Sequence, residues 1–200
     1  MKSDTFIQPM SDIVMAAATP DDAILFYGRN LGYPFLSNCW YGGIRVTARV
    51  SGVLRVIGYA STEHAYQAMK YVRDNPELAE RIRNAGSFGE VGRLGRSGTG
   101  IHPEWDIGEA GEKLKDRVMY VVVKAKFTQN PSLGVKLLET GTLRLVEHTR
   151  NDKYWADGGA YPDMKGLNRL GITLERVRDE IRSGDMSVPV IDLPATEILP

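Results

Sequence analysis

The order of apolar and polar positions divides the 200-residue chain into a short series of elements. Ile24 to Tyr27 is a brief apolar run, read as a strand. The segment IRVTARV (44–50) alternates, Ser51-Gly52 marks a turn, and VLRVIG (53–58) returns. That pattern predicts a β-hairpin, because successive side chains on a strand point to opposite faces. STEHAYQAMK (61–70) then switches to a helical period. Glu63, Gln67 and Lys70 fall on one side of that helix; Ala65, Ala68, Met69 and Val72 fall on the other. Ser61 or Thr62 serves as N-cap, and Glu63 stands in the first turn, where the helix dipole favours an acid.

Asn75-Pro76 opens a second helix with an N-cap residue and Pro at the first position, and Gly86 stops it. Residues 86–100 carry Gly86, Gly89, Gly92, Gly95, Gly98 and Gly100, with Arg93 and Arg96 between them, and read as a loop. Asp106 to about Phe127 reads as a long helix, apolar at Leu114, Val118, Val122 and Ala125, although its Tyr120–Val123 run is β-prone. Asn130-Pro131 repeats the capping device and opens another helix, ended near Gly141. TLRLVEH (142–148) alternates like a strand, and residues 149–171 form a glycine-rich loop. A helix from about Thr173 to Arg182 turns Leu174, Val177 and Ile181 inward.

These elements predict one α+β domain over residues 23–184, helix-rich, with a small sheet or hairpin. Residues 1–22 read as an irregular N-terminal arm, and 185–200, with Pro189, Pro194 and Pro200, as an extended C-terminal tail. Three long loops (28–43, 86–100 and 149–171) are rich in glycine and aromatic residues. Long structureless loops in a compact domain are uncommon and usually functional.

Composition narrows the function classes. Lys+Arg and Asp+Glu both count 25, so the net charge is zero. That argues against coating nucleic acid by bulk electrostatics, though not against a local basic pocket. A single cysteine, Cys39, forms no intrachain disulfide and suits a reducing, cytoplasmic setting. His64, His102 and His148 share no metal-ligand spacing, so no metal site is expected. No run approaches the ~20 apolar residues of a membrane span, and no signal-peptide core follows the N-terminus. The glycines of 86–100 are followed by no Gly-Lys-Ser/Thr and are not a P-loop.

Seven segments occur in a telling order: PFLSN (34–38), STEHAYQAMK (61–70), VGR (91–93), EW (104–105), KFTQNPSLGVKLLETG (126–141), LVEHTRNDKYWADGG (145–159) and KGLNRLGITLERVR (165–178). Together they resemble the NADAR family, also called YbiA-like, over roughly residues 24–182. The sequence departs from the family pattern at Cys39, where an aromatic is usual, and at Ala156, where Gly is usual.

The resemblance implies a cofactor-independent N-glycosidase. Characterised members cleave ribose 5-phosphate from an amino-pyrimidine intermediate of riboflavin biosynthesis; others remove ADP-ribose from guanine bases. It nominates Glu63, Lys70 and Asp152 as catalytic, and Asn38, Gln67, Arg93, Trp105, Trp155, Gly158 and Asn168 as substrate-binding. Cleaving a ribose–nitrogen bond builds positive charge on the sugar and negative charge on the base. It therefore calls for carboxylates by the sugar, a proton donor by the base and cations for phosphate. Lys70 fits three roles: phosphate ligand, proton donor, or nucleophile forming a Schiff base with a ring-opened ribose. The expected partner is a small ribosyl phosphate. The alternatives are ADP-ribosylated guanine on single-stranded nucleic acid, with Arg81, Arg83, Arg93 and Arg96 as local cations, and NAD or ADP-ribose held without turnover. His64 reads as a residue that fixes the helix start, and Glu147 as a buried partner for an arginine.

Overall fold

The computed structural model describes residues 21–28 and 32–193. Of the predicted N-terminal arm (1–22), all but Asp21 and Asp22 lies outside the described residues. The described chain runs β1 (Ala23–Phe26), β2 (Tyr41–Val50), β3 (Val53–Ser61), α1 (Thr62–Met69), α2 (Pro76–Arg83), α3 (Phe88–Gly95), α4 (Leu114–Gln129), α5 (Pro131–Glu139), β4 (Arg144–Glu147), α6 (Arg169–Arg182) and β5 (Ile191–Leu193). It is an α+β domain with two small sheets. In one, β1 and β4 lie parallel, with Ala23 opposite Arg144 and Phe26 opposite Glu147. In the other, β2 is central, with β3 antiparallel on one side and β5 parallel on the other.

The predicted hairpin forms, with Val50 opposite Val53. Ile44, Val46, Ala48 and Val50 turn inward while Arg45 and Arg49 face out, as the alternation requires. α4 is the centre of the domain and packs on β2, α1, α5 and α6. It is buried nearly all round, at Val118, Met119, Val121, Val122, Val123, Ala125 and Phe127. Its β-prone Tyr120–Val123 run is helical because tertiary packing outweighs a propensity of a few tenths of a kcal/mol per residue.

The structure corrects four boundaries. α4 starts at Leu114, eight residues after the expected Asp106, because Gly108 and Gly111 stand at φ +107° and +102° and turn the chain before the helix. Asp116 then caps it, its Oδ2 accepting from the Gly111 and Lys113 amides at 2.9 and 3.2 Å. α6 starts at Arg169 rather than Thr173, with Asn168 at φ 47° making the turn into it. Most of the supposed loop 86–100 is α3, started by Ser87, whose Oγ accepts from the Glu90 amide while the Glu90 carboxylate accepts from the Gly86 amide. The tail is not simply extended: Ile191 and Leu193 are buried beside Ala48 and Val50 as β5. Asp192 faces out to Arg49 at 3.2 Å, an exposed pair worth little.

One buried charge stands out. Lys126, on α4, is wholly enclosed and donates only to the Ser37 carbonyl, at 2.8 Å. Burial lowers its pKa to about 7, opposed weakly by the nearby Cys39. Above pH 7 the folded chain therefore lacks a proton that the unfolded chain keeps up to its ordinary value of 10.5. Stability must rise with pH in that window, by roughly 1 kcal/mol per pH unit from this group. Glu147, raised to about 8, acts oppositely, but its contribution lies chiefly below pH 8. Between pH 8 and 9 the wild-type unfolding free energy should climb relative to Lys126→Met, read by urea melts. Parallel pH profiles for the two proteins would refute this.

Candidate active site

α1 builds one wall of the site. Ser61 caps it, its Oγ accepting from the His64 amide, and Ser61 Oγ lies 2.7 Å from His64 Nδ1. His64 Nε2 donates to the Ala85 carbonyl at 3.1 Å, which leaves Nδ1 as acceptor for the Ser61 hydroxyl. His64 is fully buried and ties the helix start to the α2–α3 turn, in keeping with its expected role. The apolar side of α1 packs into the core through Ala65, Ala68 and Met69. The polar stripe is left facing a cavity of about 430 Å3, which receives Glu63, Gln67 and Lys70.

Within that stripe Gln67 Nε2 donates to Glu63 Oε1 at 2.9 Å. Lys70 Nζ donates to the Gly95 carbonyl at 3.2 Å, and Tyr71 Oη donates to the same oxygen at 3.0 Å. α3 approaches closely because residue 95 is glycine: a Cβ there would stand 2.1 Å from Gln67 Oε1 and 2.7 Å from its Cδ. Gly92, Gly95 and Arg96 share one helical face, so the close approach also brings Arg96 to the cavity. Arg96 makes no ion pair among the described residues and is the cavity's second cation.

Other segments close the site. Tyr27 follows β1 and Glu147 ends β4, so both strands of the parallel pair deliver a residue to the cavity at their carboxyl ends. Ser37, Asn38 and Cys39 come from the turn before β2, and Met119 from α4. Asp152 and Trp155 come from the loop before α6. Asp152 Oδ1 accepts from the Tyr154 and Trp155 amides at 2.7 and 2.8 Å, which fixes its carboxylate and leaves the second oxygen free. Tyr66 lines the cavity and carries the Trp155 ring at 5.5 Å.

Burial and charge set the ionisation. Burial raises the Glu63 carboxyl, while the Gln67 hydrogen bond and the Lys70 cation oppose it. Burial lowers Lys70 and Glu63 counters it. Glu147 is pushed up to about 8, first by burial and then by Asp152, Glu63 and Asp157. The Cys39 thiol rises to about 12, by burial and then by Glu63 and Glu147, so it stands as a neutral thiol rather than a nucleophilic thiolate. Of the cavity-lining acceptors, Asn38 Oδ1 and Gln67 Oε1 are buried without a donor among the described residues. Among the described residues no group of three His, Cys, Asp or Glu side chains is arranged to hold a metal ion. A shallower cleft of about 820 Å3 lies elsewhere, between Arg45, Tyr59 and Arg83, and contains no carboxylate.

Of the residues nominated from sequence, Asn38, Glu63, Gln67, Lys70, Asp152 and Trp155 meet at the cavity. Four do not. Arg93 points away from it, exposed on the far side of α3 in a separate cleft with Arg81; Arg96, one turn on, occupies the cavity position. Trp105 is core, packed behind Tyr66 with ring centroids 5.3 Å apart, where it backs a cavity wall rather than a ligand. Gly158 stands at φ +75° in the loop, beside Lys153 and Gly166. Asn168 is buried and bridges the Glu147 amide and the Leu145 carbonyl at 3.0 and 2.8 Å, so it holds the end of β4.

Tyr27, Ser37, Cys39, Tyr66, Met119 and Glu147 are lining residues that sequence reasoning did not nominate, and Arg96 was named only as a cation for nucleic acid. The Ser87-Phe88-Gly89-Glu90 signature was legible as a helix start, but the i, i+3 spacing of Arg93 and Arg96 at the end of that helix does not by itself say which enters the cavity. Among the described residues Glu147 pairs with no arginine: its charged neighbours are acids. Asp157, also missed, anchors the loop from within, bonded to the Thr149 and Gly159 amides and 2.7 Å from His148 Nδ1.

The NADAR domain model matches residues 25–182. The N-glycosidase YbiA of Shigella sonnei is 34% identical over 162 residues, 80% of this chain and 89% of its own. The same protein of Escherichia coli K12 is 33% identical over the same shares. A riboflavin biosynthesis protein of Vibrio vulnificus is 32% identical over 81% of this chain, which matches only 39% of that longer protein. The NMR structure of Escherichia coli YbiA superposes with a TM-score of 0.64 at 31% identity, covering 90% of this chain and 96% of the other. On its sequence, its fold and the extent of the match, the chain belongs to the NADAR domain family.

Proposed function

We propose that the protein is an N-glycosidase that hydrolyses the bond between C1 of a ribosyl phosphate and the nitrogen of a base. The observation that carries this is the meeting of Glu63, Glu147 and Asp152 with Lys70 and Arg96 in one cavity. That composition matches the reaction: acids beside a sugar that turns cationic, and cations for its phosphate. The relatives named as N-glycosidases, and the one named for riboflavin biosynthesis, support the class and suggest an amino-pyrimidine as the base.

In this reading Glu63, held by Gln67, orients or deprotonates the attacking water and stabilises the developing charge at C1. Asp152 stands over the sugar from the loop. Asn38 and Gln67 accept from hydroxyls or amino groups, and Arg96 with Lys70 receives phosphate. Trp155, backed by Tyr66, offers a flat apolar face to the base.

A second reading, release of ADP-ribose from guanine in single-stranded nucleic acid, is favoured by one feature. The Arg81–Arg93 cleft, of about 430 Å3, lies on the other side of α3 from Arg96 and offers cations to further phosphates. The discriminating measurement is free-base release from three substrates: an amino-pyrimidine ribosyl 5-phosphate, an ADP-ribosylated guanosine oligonucleotide, and NAD. Turnover of the first alone supports the first reading, and turnover of the oligonucleotide supports the second. Silence on all three overturns both and leaves a binding module.

Lys70 has its own test. Burial lowers its pKa and so raises the neutral, nucleophilic fraction. If it attacks a ring-opened ribose, borohydride added during turnover fixes a stable adduct on Lys70, seen by peptide mass analysis. Full turnover with no adduct would instead make Lys70 a charge or proton donor.

A further inference from the structure

Three carboxylates line the cavity, and their surroundings differ. Glu63 accepts a hydrogen bond from Gln67 and faces Lys70 and Arg96. Asp152 accepts two backbone amides. Glu147 has neither kind of support: its carboxylate accepts no hydrogen bond and pairs with no cation among the described residues. The charges that face it are Asp152, Glu63 and Asp157, all acids, and the adjacent His148 is engaged by Asp157. The main chain of Glu147 is nevertheless fixed, through its amide to Asn168 Oδ1 and its carbonyl to the Asp157 amide, both at 3.0 Å. The main chain is thus fixed at the cavity edge, and the carboxyl stands in a setting that suits a neutral acid.

We propose that Glu147 is the proton donor to the departing base. The assignment rests on the N-glycosidase reading and adds a residue to it. Glu147 enters the reaction as the carboxylic acid and gives its proton to the leaving nitrogen as the C1–N bond breaks, the bonding electron pair going to nitrogen. Water then adds to C1 and loses a proton to Glu63 or Asp152. Solvent returns one proton to Glu147 and takes one from the other carboxyl, so one water is consumed and one N–H formed.

Burial raises both glutamates, and they differ in what opposes it: only Glu63 has a hydrogen-bond donor and cations beside it. Burial and then the three neighbouring acids hold Glu147 up to about 8, so it is mostly protonated at pH 7. Glu63 is raised by burial but countered by Gln67, Lys70 and Arg96, which favour its charged form.

The test is the pH–rate profile of base release from an amino-pyrimidine ribosyl 5-phosphate. Wild-type kcat/KM should fall on the alkaline side with a midpoint near 8. Glu147→Gln should lose about 100-fold or more in kcat with KM little changed, and its residual activity should lack the alkaline limb. Nicotinamide ribosyl 5-phosphate leaves without needing a proton, so the variant should keep its rate on that substrate within a few-fold. Equal loss on both substrates, an unchanged kcat, or an alkaline limb retained in the variant overturns the assignment. Should Glu147→Gln not fold, Glu147→Asp carries the test: it must be slower than wild type yet keep the limb. A wild-type rate, or a lost limb, overturns the assignment. Wild-type protein that releases no base from any substrate overturns this assignment and the N-glycosidase reading together; active wild type with an insensitive Glu147→Gln overturns this assignment alone.

Discussion

Glu63→Gln should lower kcat for base release by about 1,000-fold, within the range measured when a general base or a charge-stabilising group is removed. The substitution keeps the volume and keeps an oxygen for Gln67 Nε2, now 2.9 Å from Oε1, so the α1 wall has no reason to shift. What it removes is the carboxyl that faces Lys70 and Arg96. The loss should therefore fall on kcat while thermal stability stays close to wild type. Steady-state kinetics beside a circular dichroism melt separate the two. Wild-type turnover by a folded Glu63→Gln protein would remove Glu63 from the chemistry.

The largest stability effect is expected at Gly171, in the first turn of α6. A Cβ there would stand 1.8 Å from the Leu145 carbonyl oxygen, and 2.4 and 2.7 Å from the Asn168 side chain. Main chain cannot yield as a flexible side chain can, so Gly171→Ala must push α6 off β4. A loss of about 3 kcal/mol or more is the scale of such overpacking, or roughly 6–12 °C in Tm for a domain of this size. Asn168 also carries the Glu147 amide, so catalytic efficiency should fall with stability. Gly86 is the control: a Cβ there meets nothing within 4 Å, and Gly86→Ala should lie within about 0.5 kcal/mol of wild type. Equal melting temperatures for the two variants would contradict the packing argument.

These two glycines show why parts of the fold were legible and parts were not. The hairpin, α1, α2 and α5 announce themselves locally, through alternation, N-cap residues and Pro at the first helical position. α3 was hidden because its glycines look like a loop; one of them, Gly95, lets the helix lie against Gln67, a long-range fact. β5 was hidden because a three-residue strand in a proline-bearing tail gains its meaning only from β2 beside it. The same division runs through the site. Glu63, Gln67 and Lys70 share one helix face and are readable from spacing. Whether Arg93 or Arg96 turns inward, or whether Trp105 meets ligand or Tyr66, depends on how elements far apart in the chain are docked. Glu147 looked like an arginine's partner because a lone buried acid usually has one; its surroundings of acids arise only when the loop bearing Asp152 and Asp157 folds back over β4.

The Gly95 carbonyl has one more consequence. It is shared, receiving both Lys70 Nζ and Tyr71 Oη. When Lys70 turns toward a substrate it gives up that bond, yet the oxygen is not orphaned, because the tyrosine remains. The usual penalty for stranding a buried acceptor, about 1–3 kcal/mol, does not arise. The shared acceptor thus lets the Lys70 bond break without stranding the wall of the cavity.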